Sequence, residues 1–151
     1  MSRFAVYSTT KLVNREILLA ALVTIGYAVS EQDIHDQAVE IRDYHGNKAQ
    51  VHIVLRRKAT PPNVHGVYSD AGFRRESNGT YTPIVDNLAT ATVNGQTVPF
   101  GQAVETAYGK IVGDRALSTL LRTTVPMWKQ SGRIPMHATA VRQGDVVKVR
   151  W

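Results

Sequence analysis

The chain has 151 residues, the size of one ordinary domain, and a composition near the globular average, with 43% hydrophobic and 20% charged residues. It has no cysteine, which excludes disulfides, thiolate metal sites and a cysteine nucleophile, and fits a reducing compartment. The net charge of +6 is uneven, because residues 109–151 hold eight bases against two acids. Such a segment suits a polyanionic or acidic partner, although an ordinary solvated surface has the same pattern.

The longest apolar run, residues 17–25, is about half as long as a bilayer span requires. The first residues lack the apolar core and the cleavage site of a signal peptide. We therefore expect a soluble, non-exported protein with no membrane partner. Its expected compartment is the cytoplasm, or the plastid stroma if the protein is organellar.

Hydrophobic periodicity predicts a short strand and then a helix near the start of the chain. The strand covers residues 4–7. The helix covers Arg15–Ile25, because Asn14 can cap its start and Gly26 can adopt the left-handed conformation that ends it. Four apolar residues at three- and four-residue spacing predict one buried helix face: Leu18, Ala21, Leu22 and Ile25.

Strand and turn patterns follow this helix. Residues 38–42 and 49–55 have the apolar content of strands, and residues 59–69, broken by Pro61-Pro62, predict a surface loop. Three hairpins are then predicted, two of them from Asn-Gly pairs, which tolerate the positive φ angles of tight turns. They are residues 70–86 around Asn78-Gly79, residues 92–93 and 97–98 around Asn94-Gly95, and residues 137–142 and 146–150 around 143–145.

Two further helices are predicted over residues 100–111 and 115–124, and Pro126 is expected to end the second one. The order of elements predicts an α+β fold, a mostly antiparallel sheet with helices packed on one face. Residues 1–151 contain no internal repeat, low-complexity tract or linker, which predicts a single α+β domain.

Several short motifs occur in the order found in one known family. Asp70-Ala71-Gly72-Phe73 matches an Asp-Ile-Gly-Phe motif, and Arg42-Asp43-Tyr44-His45-Gly46 is similar to an Arg-Gly-Tyr-Arg-Gly turn, with departures at Asp43 and His45. Ser2-Arg3-Phe4 and Arg150-Trp151 fit the opening and the closing motifs. The chain thus resembles the cyanobacterial and plastid family called hypothetical chloroplast open reading frame thirty-five, a domain of unknown function.

The chain departs from this family at Asn87, where the family usually has tryptophan, and at two segments that look like insertions, residues 61–65 and 90–99. It therefore resembles a distant member. The resemblance implies no established activity. Members of the family are described alongside AAA+ ATPases, which implies an accessory or adaptor role and an AAA+ ATPase as partner.

Other polar residues are candidates for a metal site or for an acid–base pair. Asp33, His35 and Asp36 could bind a divalent cation if they converged, but their spacing matches no metal loop and favours a solvated acidic turn. Asp70 and Asp86 bracket the central hairpin and could perturb each other's protonation if they met. A strand-end aspartate more often accepts hydrogen bonds from local backbone amides, so we expect a structural role for both.

Catalysis is the least favoured interpretation. A hydrolase would need His45, His52 or His65 to meet a carboxylate and a nucleophile in space, and no nucleophile elbow, zinc-binding helix motif or phosphate loop is present. We therefore predict a non-enzymatic binding protein without cofactor or metal, an accessory protein that contacts another protein.

The predicted contact surface combines a turn, the central hairpin and the basic C-terminal hairpin. Its residues are Tyr44, His45, Asp70, Phe73, Arg74, Arg75, Tyr81, Asp86, Arg142, Lys148 and Arg150. The alternative function is RNA or DNA binding through the basic C-terminal face, with aromatic side chains available to stack on bases: Tyr44, Tyr68, Phe73 and Tyr81. The sequence leaves both open.

Overall fold

A computed structural model describes residues 3–7, 9 and 11–151. Its strands are β1 (Phe4–Val6), β2 (Ile34–Arg42), β3 (Lys48–Leu55), β4 (Val64–His65), β5 (Ala71–Arg75), β6 (Tyr81–Asp86), β7 (Thr90–Val93), β8 (Gln96–Pro99), β9 (Thr139–Gln143) and β10 (Val146–Arg150). Its α-helices are α1 (Arg15–Ile25), α2 (Phe100–Thr119) and α3 (Val125–Gln130). Ser2, the first residue of the opening motif, lies outside the described residues.

The largest sheet has five strands in the order β1-β6-β5-β3-β2, and every pairing in it is antiparallel. Ile41, Val51, Val54 and Ile84 form a buried cluster on it, against which Phe4 packs. A helix packs on this sheet, and the α+β prediction is confirmed. The smaller sheets are β4-β7-β8 and the β9-β10 hairpin.

The first helix is confirmed with its predicted bounds. The Asn14 side chain accepts a hydrogen bond from the Ile17 amide at 3.0 Å, and Gly26 ends the helix at a φ of 119°. The four predicted apolar residues, Leu18, Ala21, Leu22 and Ile25, are its buried residues. The cap, the periodicity and the terminating glycine thus agree, as a locally consistent sequence requires.

The two Asn-Gly hairpins form, but with different turns. Asn94 and Gly95 both have positive φ, 51° and 77°, as a two-residue hairpin turn requires. In the other hairpin only Gly79 has a positive φ, and Asn78 instead accepts hydrogen bonds from the amide and hydroxyl of Thr80. The Asn-Gly pair thus predicted both hairpins correctly. It predicted positive φ at both of its residues correctly at Asn94-Gly95 but not at Asn78-Gly79.

Two predicted boundaries in the first half are wrong. The strand predicted over residues 38–42 begins at Ile34, with a register shift between Ile34 and Val39. Its first half is polar and largely exposed, so it lacks the apolar alternation of a strand. Within the predicted loop 59–69, Val64–His65 forms β4 and pairs with β7.

The helical region after residue 100 also differs. Two helices were predicted, yet α2 continues through Gly113 and is followed by a π-helical segment, Leu120–Thr124, and then α3. Pro126 does not end the helical region, because it lies in the first turn of α3, where a missing N–H is tolerated best.

The chain divides into two compact units, Met1–Tyr108 and Gly109–Trp151. The larger sheet and the three-stranded sheet belong to the first unit, and the β9-β10 hairpin belongs to the second. The sequence of the first unit has ten bases and ten acids, and that of the second has eight bases and two acids, so the net charge lies in the second unit. No described helix combines the length and apolarity needed to cross a membrane.

Candidate functional site

Exposed aromatic rings meet on the surface of the first unit. Tyr44 is 63% exposed and Tyr68 is 48% exposed, although tyrosine side chains usually bury most of their ring. The ring centroids of Tyr44 and Tyr68 lie 6.5 Å apart in a T-shaped arrangement, and that of His45 lies 5.5 Å from Tyr44. We call Tyr44, His45 and Tyr68 the aromatic surface.

The turn that carries Tyr44 and His45 is held by a buried carboxylate. Asp43, only 6% exposed, accepts hydrogen bonds from the amides of His45 and Asn47 at 2.9 and 2.8 Å and from the Asn47 side chain at 2.9 Å. Burial raises the pKa of Asp43, but these bonds, with one from the Phe4 amide, outweigh it and lower the pKa. Asp43 is therefore ionised and fixes the turn.

A second buried carboxylate holds the segment that carries Tyr68. Asp86, 2% exposed at the end of β6, accepts hydrogen bonds from the amides of Tyr68 and Ser69 at 2.8 and 3.2 Å and from the Ser69 hydroxyl at 3.2 Å. Gly66 allows the same segment to lie close to the chain after β6, because an added Cβ would be 2.1 Å from the Leu88 carbonyl oxygen. The backbone at Tyr68 is thus fixed on both sides.

Both exposed tyrosines are consequently carried on short connecting segments in which backbone amides are bonded to buried aspartates. A surface of this kind has little conformational entropy to lose when a partner covers it, which is the physical meaning of preorganisation. The arrangement offers ring faces and hydroxyl groups. These groups suit recognition by contact.

The central hairpin contributes mainly to the core. Phe73 is fully buried and Tyr81 is 5% exposed, so neither ring lies on the predicted contact surface. Of the hairpin's arginines, Arg74 is half-buried and bonded to Glu76 at 2.8 Å, and Arg75 is exposed. Sequence patterning identified these aromatic residues as strand residues but could not tell which face is covered.

The two aspartates that bracket this hairpin have separate partners. Asp70 accepts hydrogen bonds from the Arg56 guanidinium at 3.2 Å and from the Arg57 amide at 2.8 Å. Arg56 also donates to Asp33 at 2.9 Å. Asp86 instead bonds the Tyr68 segment, as described above. Bonding to local backbone amides was the role expected for both carboxylates. They do bond backbone amides, but those amides lie 13 to 18 positions away in the chain.

The three basic residues predicted on the C-terminal hairpin do not share a face. Lys148 pairs with Val141 and Arg150 pairs with Thr139, which places both cations on one face of the hairpin. Arg142 pairs with Val147 on the opposite face, where its guanidinium bonds Asp114. Alternation along the two strands therefore separates Arg142 from the other two bases.

Tyr7, His52 and Glu105 of the first unit have pKa values shifted away from neutral pH. In a polar cleft of about 530 Å³, a hydrogen bond from Lys11 at 2.8 Å lowers the pKa of Glu105, while burial and Glu105 raise the pKa of Tyr7. Burial and Arg75 lower the pKa of His52, whose Nδ1 accepts the Arg75 amide at 2.9 Å.

No group of three or more histidine or acidic side chains that could hold a metal ion occurs within residues 3–7, 9 and 11–151. Asp33 of the acidic segment is bonded to Arg56. His35 lies at the start of β2, and its Nε2 atom is buried without a hydrogen-bond partner among the described residues. The residues weighed for a cation site thus do not converge.

Sequence reasoning missed the most important anchor of the aromatic surface, Asp43, and did not place Tyr68 beside Tyr44. Asp43 is followed by Tyr44-His45-Gly46-Asn47, and an aspartate before such a run can bond the amides that follow it. That signal was available. The contact between Tyr44 and Tyr68 joins residues 24 positions apart and has no local signal.

Comparison of the chain with protein-family models, with curated proteins and with solved structures finds no match, so the family resemblance stays a prediction from the sequence.

Proposed function

We propose that this protein acts by binding a partner protein through the aromatic surface, as an accessory or adaptor protein without an activity or cofactor of its own. The observation that carries the proposal is the exposed pair Tyr44 and Tyr68, each on a backbone segment that a buried aspartate holds. Two exposed rings lower the free energy of unfolding of the free protein little. When a partner covers them, apolar area is removed from water, and this favours binding.

Tyrosine is the residue type suited to this role. It is enriched among the few residues that dominate the affinity of protein interfaces, and it has only two rotatable side-chain bonds to immobilise. The sequence of the first unit has equal numbers of bases and acids. The unit as a whole therefore does not attract a highly charged ligand over long distances. These features favour a protein partner for the aromatic surface.

The family resemblance supplies the first partner class to test. An AAA+ ATPase is proposed on that basis alone, and the aromatic surface would serve such a partner or another protein equally well. The proposal concerns the surface and the kind of contact. The ATPase would be its first named partner.

The test is co-purification from native lysate of the source cells, using full-length tagged protein after nuclease treatment and at two salt concentrations. A double variant, Tyr44→Ala with Tyr68→Ala, removes both exposed rings. Val23→Ala is the control, because Val23 is 64% exposed on α1 and outside the aromatic surface. The free energy of unfolding of each variant is measured in parallel.

We expect one or more discrete proteins to be retained by the wild type and the control at both salt concentrations, and to be lost from the double variant while its fold is intact. Contacts through rings depend weakly on salt, unlike phosphate contacts, which weaken by orders of magnitude over a few-fold increase. Retention by the double variant would contradict the proposal.

A further inference from the structure

The β9-β10 hairpin of the second unit has one face that is exposed along its whole length. Cross-strand pairs put six residues on this face, and all six are exposed: Thr139, Val141, Gln143, Val146, Lys148 and Arg150. We call it the outer face. Half-buried Ala140, Val147 and Val149 lie on the other face. The hairpin therefore has a covered side and an open side.

The cations of this unit are almost all without an acidic partner. Of its eight bases, Arg142 is the one that forms an ion pair within the described part of the chain, with Asp114. Arg142 also donates to the Gly144 carbonyl oxygen at 2.9 Å, so its guanidinium is occupied on the covered side. Lys148 and Arg150 are exposed on the outer face, and neither forms an ion pair within the described residues.

An exposed indole is adjacent in sequence to the second of these cations. Trp151 follows Arg150 in the chain and is 71% exposed, the highest value among the large apolar residues of the molecule's described part. Cations that can reach phosphates, next to an aromatic ring that can stack, are the two components with which proteins bind single-stranded nucleic acid. A double helix offers phosphates but no free base face.

We propose that the outer face of the β9-β10 hairpin binds single-stranded nucleic acid, with Lys148 and Arg150 contacting phosphates and Trp151 stacking on an unpaired base. An acidic protein would satisfy the cations, whereas an unpaired nucleotide offers a phosphate and a planar base together. This inference goes beyond the proposed protein contact, because it concerns the second unit and none of the residues of the aromatic surface.

The experiment measures binding of the full-length protein by fluorescence anisotropy. The probes are fluorescein-labelled single-stranded RNA, single-stranded DNA and a DNA duplex, each of mixed sequence and about 20 nucleotides, longer than the ~4–16 that typical single-strand sites cover. Three variants are compared: Arg150→Gln, Trp151→Ala and the control Arg142→Gln. The control loses the same charge from the same hairpin, but from the covered face.

We expect saturable binding to both single strands, and weaker binding to the duplex. Trp151→Ala should raise the dissociation constant for single strands about 5- to 150-fold, the effect of losing one stacked base. Arg150→Gln should reduce the slope of log K against log salt by about 0.7, the value for one phosphate contact on a single strand. Arg142→Gln should leave that slope unchanged.

Four results would overturn the proposal. They are absence of saturable binding at low salt, duplex binding as tight as single-strand binding, an unchanged affinity in Trp151→Ala, and equal effects of Arg142→Gln and Arg150→Gln. The last would indicate attraction by net charge alone. A difference between RNA and DNA would only decide which strand is preferred. Circular dichroism of each variant ensures that lost binding is not lost folding.

Discussion

The Asp43 carboxylate accepts a hydrogen bond from the backbone amide of Phe4 at 3.2 Å, which joins the two outermost strands of the five-stranded sheet. Asp43 directly follows β2 at one edge, and Phe4 lies in β1 at the other. The sheet is therefore curled so that its edges meet here. The same carboxylate fixes the turn of Tyr44 and His45, so sheet curvature and the aromatic surface share one buried charge.

Replacement of Asp43 by alanine should destabilise the fold and loosen the aromatic surface together. It leaves the amides of Phe4, His45 and Asn47 without their acceptor. We expect a lower thermal midpoint and faster hydrogen exchange at these three amides. Asp36→Ala, an exposed position in the same strand β2, is the control and should change neither quantity. Equal exchange in both variants would contradict the assigned role.

Acid should destabilise the first unit in two steps. His52 has a folded pKa below its ordinary value of 6.5, so its contribution to stability is full above that pH and is lost as pH falls through the folded pKa. The lowered pKa values of Asp43, Glu76 and Glu105 add a second loss at more acid pH.

The measurement for this pH dependence is the urea midpoint of unfolding from about pH 8 to about pH 3. His52→Gln should remove the first step and keep the second. If the wild-type midpoint does not change between the ordinary pKa range of histidine and that of carboxylates, protonation of His52 does not destabilise the fold and this prediction is wrong.

Gly72→Ala should destabilise the fold, whereas Gly113→Ala should stabilise it. In β5, an added Cβ at Gly72 would lie 2.2 Å from the Ile53 carbonyl oxygen and 2.9 Å from Val51 Cβ, which predicts a loss of about 1–3 kcal/mol. At Gly113, inside α2, the added Cβ would meet no described atom within 4 Å apart from its chain neighbours and the helix's own backbone, so the change should gain up to about 1 kcal/mol from helix propensity. Denaturant unfolding of both variants gives the two signs.

Asp86→Asn should reduce stability, because a neutral amide oxygen accepts the hydrogen bonds from the Tyr68 and Ser69 amides less strongly than a carboxylate does. The buried position and the bonds from Tyr68 and Ser69 predict a loss of about 1–3 kcal/mol. Tyr68→Ala, which removes an exposed ring, should change stability much less. If Asp86→Asn kept full stability and lost only partner binding, Asp86 would be a contact residue rather than a structural one.

Local signals in the sequence predicted local structure well. The Asn14 cap, the helix periodicity and Gly26 gave α1 its bounds, and the α+β class followed from the order of elements. The start of β2 was missed because that half of the strand is polar. The single helix α2 was predicted as two helices because Gly113 has a low helix propensity, which the helical residues on both sides of it override.

The candidate site was only partly predictable, since it depends on contacts between distant residues. Tyr44 and His45 were identified from their turn, but the neighbour Tyr68 is brought there by Asp86. Phe73 and Tyr81 were placed on the surface because strand alternation alone does not say which face is covered. Asp43 departs from the family pattern of the turn, yet it holds the turn in this chain.

The most direct test of the aromatic surface is photo-crosslinking in living source cells, with a photoreactive phenylalanine analogue placed at position 44, 68 or 23 of the full-length protein. Positions 44 and 68 are ring positions of the aromatic surface, and position 23 is an exposed control on α1. We predict the same discrete protein adduct from positions 44 and 68 and none from position 23. No adduct from the first two, or an equal adduct from all three, would contradict the account.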